Sequence, residues 1–166
     1  MPDASAAAML GRDTFAKPDA EIAVEGFDAL WRDGRVLLAA HAADSGMNID
    51  DINIDLCYLL DRAGAMLVLT ARAAGEMVGY LTYIIGPSLE KRGETIAEQK
   101  PFYVRHDYRG VGPKLRAKAK EILRERGVNH ILMRAGIRAD SNRQRALFER
   151  EGAKYMGELY YLTLEP

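Results

Sequence analysis

The sequence predicts an α/β domain, a mixed sheet with helices on both faces. Three observations predict it. Two strand-like runs, Met66 to Arg72 and Met77 to Ile85, flank the turn Ala73-Ala74-Gly75-Glu76, as in an antiparallel hairpin. A strand, a glycine-bearing turn and a helix follow one another from Phe102 to Arg126. Strand-like and helical segments then alternate to the C-terminus, and such crossovers pair strands in parallel with a right-handed connection.

The bounds agree with one domain. The chain has 166 residues, 48% hydrophobic and 28% charged, enough to bury a core. A net charge of −1 argues against nucleic acid or an acidic surface as partner. The single cysteine, Cys57, excludes an internal disulfide framework and sits in the apolar run Leu56-Cys57-Tyr58-Leu59-Leu60, as an inert buried thiol does. The three histidines are scattered, so no metal-ligand spacing exists and no metal is expected. No apolar run is long enough to span a bilayer, and Ala6 to Leu10 follows acidic Asp3 instead of a basic segment. The expectation is a cytoplasmic protein without a membrane association.

In chain order, residues 1–20 are rich in Ala, Asp and Pro and read as a partly ordered arm; residues 21–166 form the domain. Residues 21–46 read as two helices: Ile22, Phe27, Leu30 and Trp31 share one face, Gly34 interrupts, and Val36, Leu37, Leu38 and Ala40 resume the pattern. Asp50, Asp51 and Asp55 mark a solvated loop and helix start, with an acidic lip for a cationic amine as the competing reading. Leu56 to Arg62 is a short helix closed by Gly64. The hairpin ends at Gly86-Pro87, and Ser88 to Gly93 is a charged loop. Glu94 to Val104 is the next strand. Pro113 suits the first position of the following helix, whose stripe is Leu115, Ala119, Ile122 and Leu123 and whose stop is Gly127. The consecutive apolar residues Ile131, Leu132 and Met133 make Val128 to Ala135 a strand covered on both faces. A loop from Gly136 to Asp140, a helix from Asn142 to Glu151 and a last strand from Tyr155 to Leu164 complete the chain.

The turn at Arg109, Gly110, Val111 and Gly112 brings backbone N–H groups and a positive helix end to one point, which is an anion site. Asp107-Tyr108-Arg109-Gly110-Val111-Gly112 resembles the Gln/Arg-x-x-Gly-x-Gly/Ala loop of the GNAT superfamily of N-acetyltransferases, which follows the fourth strand and holds the pyrophosphate of acetyl-coenzyme A. Asp107 departs from the usual Gln or Arg, and Pro113 removes an N–H just after the loop. The likeness extends from about Met66 to the C-terminus. Gly75-Glu76 followed by Val78-Gly79-Tyr80 is similar to the family's central hairpin. Leu147-Phe148-Glu149-Arg150-Glu151-Gly152-Ala153 is similar to its Leu-Tyr-Glu-x-x-Gly-Phe segment, with Phe148 in place of a tyrosine.

The resemblance implies a GNAT-like three-layer domain with acetyl-coenzyme A as cosubstrate and the first two helices walling the acceptor side. Acetyl transfer to an amine needs a proton acceptor for a group whose pKa is about 10.4, donors for the carbonyl oxygen, and two substrates held in line. Glu98 matches the strand position where several members carry a catalytic Glu, with Glu94 and Gln99 as alternatives. The backbone of Phe102, Tyr103 and Val104 would pair with the pantetheine arm. Gly110, Val111, Gly112 and Lys114 would face the pyrophosphate, and Arg109 and Lys114 would add charge. Phe148 has no hydroxyl, so Tyr160 is the favoured acid, with Tyr155 and Tyr161 beside it. Asn142 reads as part of a helix start and His106 as solvated.

The acceptor is a small-molecule or protein amine, and the state is monomer or homodimer. Asp107, Pro113 and Phe148 motivate an alternative: a non-catalytic module that binds coenzyme A or a partner. The basic residues Lys114, Arg116, Lys118, Lys120, Arg124 and Arg126 suggest nucleic acid, but the apolar stripe assigns them to a solvated outer face.

Overall fold

The computed structural model describes residues 19–135, 141–157 and 162. Its sheet has five strands in the order of the chain: β1 (Glu21–Glu25), β2 (Met66–Ala73), β3 (Glu76–Pro87), β4 (Thr95–Val104) and β5 (His130–Leu132). The first three pairings are antiparallel and β4–β5 is parallel, giving the expected mixed sheet. Helices α1 (Phe27–Asp33), α2 (Arg35–Ser45) and α3 (Ile54–Arg62) cover one face, and α4 (Val111–Glu125) covers the other. A fifth helix, α5 (Ser141–Arg150), follows β5.

β2 is buried along almost its whole length, and β3 from Met77 to Tyr83, because both faces are covered, which explains why β2 reads as a continuous apolar run. Leu67, Leu69 and Ala71 pack toward Leu115, Ala119 and Leu123 of α4. Met66, Val68 and Tyr80 pack toward Phe27, Leu30, Leu37 and Leu38. On the second face, Asp61 of α3 accepts a hydrogen bond from the Phe27 backbone N–H at 2.9 Å and ties α3 to the start of α1. Asn53 caps α3, its side chain accepting from Leu56 N at 3.1 Å.

Four expectations change. Residues 21–25 are a strand antiparallel to β2, not the start of a helix. Ile22 packs against the α4-side core, and Glu25 accepts from Thr70 and Arg72 of the neighbouring strand. Cross-strand partners override a helical spacing that Ile22 shares with Leu30. The strand predicted from Val128 to Ala135 shrinks to His130–Leu132 and is not covered on both faces, since Leu132 is 45% exposed. Helix α4 starts at Val111, so Pro113 occupies its third position. Proline costs little there, because the first-turn N–H groups have no partner within the helix. Tyr155 is in no strand. Most of the strand predicted from Tyr155 to Leu164, with Tyr160 and Tyr161, lies outside the described residues, as do the arm up to residue 18 and the loop 136–140.

Candidate active site

The geometry of the site begins where two strands part. β5 pairs only with Ile96, Ala97 and Glu98 of β4. β4 continues to Val104, so Gln99 to Val104 have no neighbour on that edge among the described residues. On its other edge, β4 stays paired with β3, with a bulge opposite Thr82. The ladder fixes which groups point where. Arg105 donates its N–H to Val78 O at 2.9 Å, toward β3. Backbone groups alternate along a strand, so Tyr103 also spends its pair on β3, while Phe102 and Val104 direct theirs to the open edge. Of the three backbone positions expected to hold an extended ligand, two offer donors and acceptors. Tyr103 contributes its ring instead, stacked on His41 with centroids 5.5 Å apart.

The open edge leads to the glycine turn. Gly110 is the N-cap of α4 and brings no side-chain cap. Its φ of −63° is ordinary, and a Cβ there would meet no atom within 4 Å. Neither backbone nor packing demands glycine at 110, and what its bareness leaves is open space before a helix N-terminus. Gly112 is different. A Cβ would lie 3.2 Å from Phe102 Cζ, so this glycine lets α4 lie close on β4. The Gly112 N–H turns back to Arg109 O at 3.3 Å. Asp107, the acidic departure in the loop, is engaged by Arg105 Nε at 2.8 Å, which matches its charge.

Behind this turn lies an ion pair that sequence reasoning placed in solvent. Arg116 is 5% exposed. Its Nε donates to Glu151 Oε1 at 2.8 Å, its guanidinium lies over the Phe102 ring at 5.7 Å, and Lys120 Nζ reaches Glu151 Oε2 at 2.5 Å. Burial alone would push the Glu151 carboxyl up, but the bonds from Lys120 and Arg116 reverse this and hold it below its ordinary value. Lys118 pairs with Glu121. The basic side of α4 is therefore partly a clamp on the segment after α5, not a free surface.

Glu98 stands at the parting point. Its cross-strand partners are Ile84 and Leu132. Lys100 Nζ lies 2.8 Å from Oε1, and Arg134 donates to the same oxygen. Oε2 carries no partner among the described residues. Glu94, the alternative base, is taken up at the outer corner by His130 at 2.6 Å and Lys91 at 3.6 Å. Gln99, paired in register with Tyr83, buries an Oε1 that finds no hydrogen-bond partner among the described residues. A buried acceptor without a donor is costly.

On the face of α1–α3, a cavity of about 240 Å³ reaches up to Lys100 and Pro101 of β4. Its lining includes His41 of α2, whose Nδ1 lies 2.8 Å from the hydroxyl of fully buried Tyr80. Burial lowers the His41 pKa, and burial with nearby Tyr103 raises that of Tyr80, so both are neutral near pH 7.

The family model described as Acetyltransferase (GNAT) family matches residues 27–153. The chain belongs to the GNAT acetyltransferase family. No curated protein matches the sequence significantly. Among solved structures, the ribosomal-protein-alanine N-acetyltransferase of Brucella melitensis biovar Abortus 2308 aligns with a TM-score of 0.66 at 22% identity, covering 88% of this chain and 99% of that one. The aminoglycoside acetyltransferase meta-AAC0020, from an uncultured soil metagenomic sample and in complex with sisomicin, gives 0.70 at 18% identity, covering 88% and 97%. Aminoglycoside N-acetyltransferase AAC(6')-Iy in complex with CoA gives 0.68 at 12% identity, covering 89% and 95%. These neighbours share the fold.

Within this GNAT domain, Glu98, Phe102, Val104, Arg109, Gly110, Val111, Gly112 and Lys114 all lie along β4 and the start of α4. Tyr160 lies outside the described residues. Sequence reasoning missed His41, Tyr80 and Arg116. Tyr80 had a readable signal, a tyrosine inside a run buried on both faces. His41 had none, because its partner is 39 residues away. Among the described residues, no group of His, Cys, Asp or Glu is arranged to hold a metal ion, and no helix is long and apolar enough to cross a membrane.

Proposed function

We propose that this GNAT protein transfers an acetyl group from acetyl-coenzyme A to the primary amine of a small molecule, with Glu98 accepting the amine proton. The observation that carries the reading is the six-residue run of β4 beyond β5, which opens a strand edge aimed at the uncapped start of α4.

The residues present fit the coenzyme. Its pantetheine arm holds amide groups suited to the backbone of Phe102 and Val104. Gly110 leaves room for a pyrophosphate before the N–H groups of the first turn, and Arg109 and Lys114 supply charge there. The Phe102 or Val104 N–H is the donor for the thioester oxygen as it gains charge. Glu98 Oε2 takes the proton directly or through one water, with Lys100 and Arg134 fixing the carboxylate through Oε1. The thiolate, with a pKa of about 8.5, leaves without requiring an acid from the protein, so the absence of a hydroxyl at Phe148 does not stop the reaction. Complexes of fold neighbours with sisomicin and with CoA support a small amine acceptor and coenzyme A use.

The same ion pairs on Glu98 favour a second reading, in which the carboxylate serves structure and the domain only holds coenzyme A. Glu98→Gln separates them. General-base loss lowers kcat by about 10²–10⁴-fold. The stabilisation by acetyl-coenzyme A, about 2.7 kcal/mol at a hundred times its dissociation constant, should persist. Turnover that survives Glu98→Gln removes Glu98 from catalysis. No turnover by either form, with stabilisation intact, favours the binding module.

A further inference from the structure

The cavity beneath β3 and β4 is built for one kind of acceptor. Its walls are Leu30, Leu38, Leu56, Leu60, Met66 and Ile84, from three helices and two strands. No carboxylate lines it among the described residues. Asp50, Asp51 and Asp55 flank the lining residues Ile52, Asn53 and Leu56 in sequence, yet they point to solvent. The one charged side chain in the lining is Lys100, a cation. A polyamine or another polycation would lose its water here and meet no counter-charge, which costs several kcal/mol per ion. An apolar group gains from the same walls, at about 25 cal/mol per Å² buried.

Size narrows the class. The volume of about 240 Å³ exceeds the ~150 Å³ apolar cavity known to accept benzene, so a ring with a short arm fits. Lys100 and Ile84, both in the lining, are the ion-pair partner and the cross-strand neighbour of Glu98, so the upper end of the cavity adjoins the carboxylate. Resting on the acetyl-transfer reading above, we infer that the acceptor is a monoamine on an apolar, ring-sized body, such as an arylalkylamine, with the body in the cavity and the amine toward Glu98. His41 and Tyr80 give the lining a polar pair that admits a hydroxyl on the ring.

The protein's single cysteine tests this. Cys57 lines the cavity, so an occupant shields it from a small thiol reagent such as methyl methanethiosulfonate. The labelling is run without coenzyme, so it does not depend on acetyl transfer. At about ten times its dissociation constant, 2-phenylethylamine should slow labelling about tenfold, the fraction of sites left empty, and spermidine should not. Thermal unfolding with the same amines gives a second readout: 2-phenylethylamine raises Tm, and Ser45→Trp, which fills the cavity from the exposed end of α2, abolishes that rise while keeping the rise with acetyl-coenzyme A. Equal labelling rates and unchanged Tm with phenylethylamine overturn the inference, as does faster acetylation of spermidine. If acetyl-coenzyme A fails to stabilise the protein while phenylethylamine still protects Cys57, the transfer reading falls and the apolar site stands.

Discussion

The two faces of the sheet are built on opposite principles. Under α4 the core is closely filled: Leu115, Ala119 and Leu123 close on Leu67, Leu69 and Ala97, and the buried Arg116 is paired. Under α1–α3 the core is hollow, and a neutral His41–Tyr80 pair is part of its lining. The difference follows from what each face must do. On the proposed reaction the coenzyme is the same molecule in every turnover, so α4 would have to be fixed against β4 to within a hydrogen bond. Gly112 close to Phe102, and Arg116 anchored to Glu151, achieve that. The acceptor is what varies among GNAT folds, and a shell of side chains on three short helices can change its volume without moving the anion site.

The comparison is broken most forcibly at Glu151. Glu151→Ala leaves Arg116 buried beside Lys120 with no counter-charge. Loss of one partner from a buried pair costs about 3–5 kcal/mol, and a stability measurement by denaturant should show it. pH gives a second signature. The Glu151 carboxyl is held below its ordinary 4.5, so its contribution is complete above that value and disappears as pH falls through the folded-state pKa. Glu151→Gln should flatten the acid limb of the stability curve. An unchanged acid limb would show that the clamp is a surface contact. By contrast, Ser45→Trp on the hollow face should leave stability nearly unchanged.

A smaller and sharper effect is expected at the glycine turn. Gly110→Ala puts a Cβ where no other part of the fold lies within 4 Å, at a φ any residue adopts. Folding should be little changed, since the roughly 0.4–1 kcal/mol gained by replacing glycine at a compatible φ offsets the poorer N-cap. Affinity for coenzyme A should fall at least about tenfold, which is about 1.4 kcal/mol. Titration calorimetry beside thermal unfolding reads both. Equal affinity in the variant would mean that the space before α4 is not the phosphate site. Gly112→Ala should reverse the balance, weakening the fold through Phe102.

The same contrast decides what the sequence reveals. The solid face is legible because its information is local. Gly110, Gly112 and the α4 stripe lie within a few residues of one another, and Glu98 precedes them on the same strand. The hollow face is assembled from residues between Phe27 and Pro101, so no spacing in the chain announces it. The helical reading of β1 arises because Ile22 happens to keep helical spacing with Leu30, and only its pairing with β2 settles the matter. The basic run on α4 misled in the same way: its burial depends on Glu151, 35 residues beyond Arg116.

The smallest effect tests the hollow face itself. Burial keeps His41 neutral below the ordinary 6.5, with Asp44 opposing weakly. The unfolded chain takes up a proton as pH falls below 6.5 and the folded protein does not, so acidification drains stability between 6.5 and the lower folded-state value. Above 6.5 the site contributes no pH dependence. In His41→Asn the window should vanish: wild type and variant should run parallel in Tm above 6.5, and wild type should fall faster below it. The slope also reports on the cavity. An arylalkylamine seated against His41 and Tyr80 removes more water from the imidazole, lowers its pKa further and widens the window toward acid, whereas spermidine should leave it unchanged. A window that ignores the apolar amine would mean that the body of the acceptor lies elsewhere, even if the amine is a substrate.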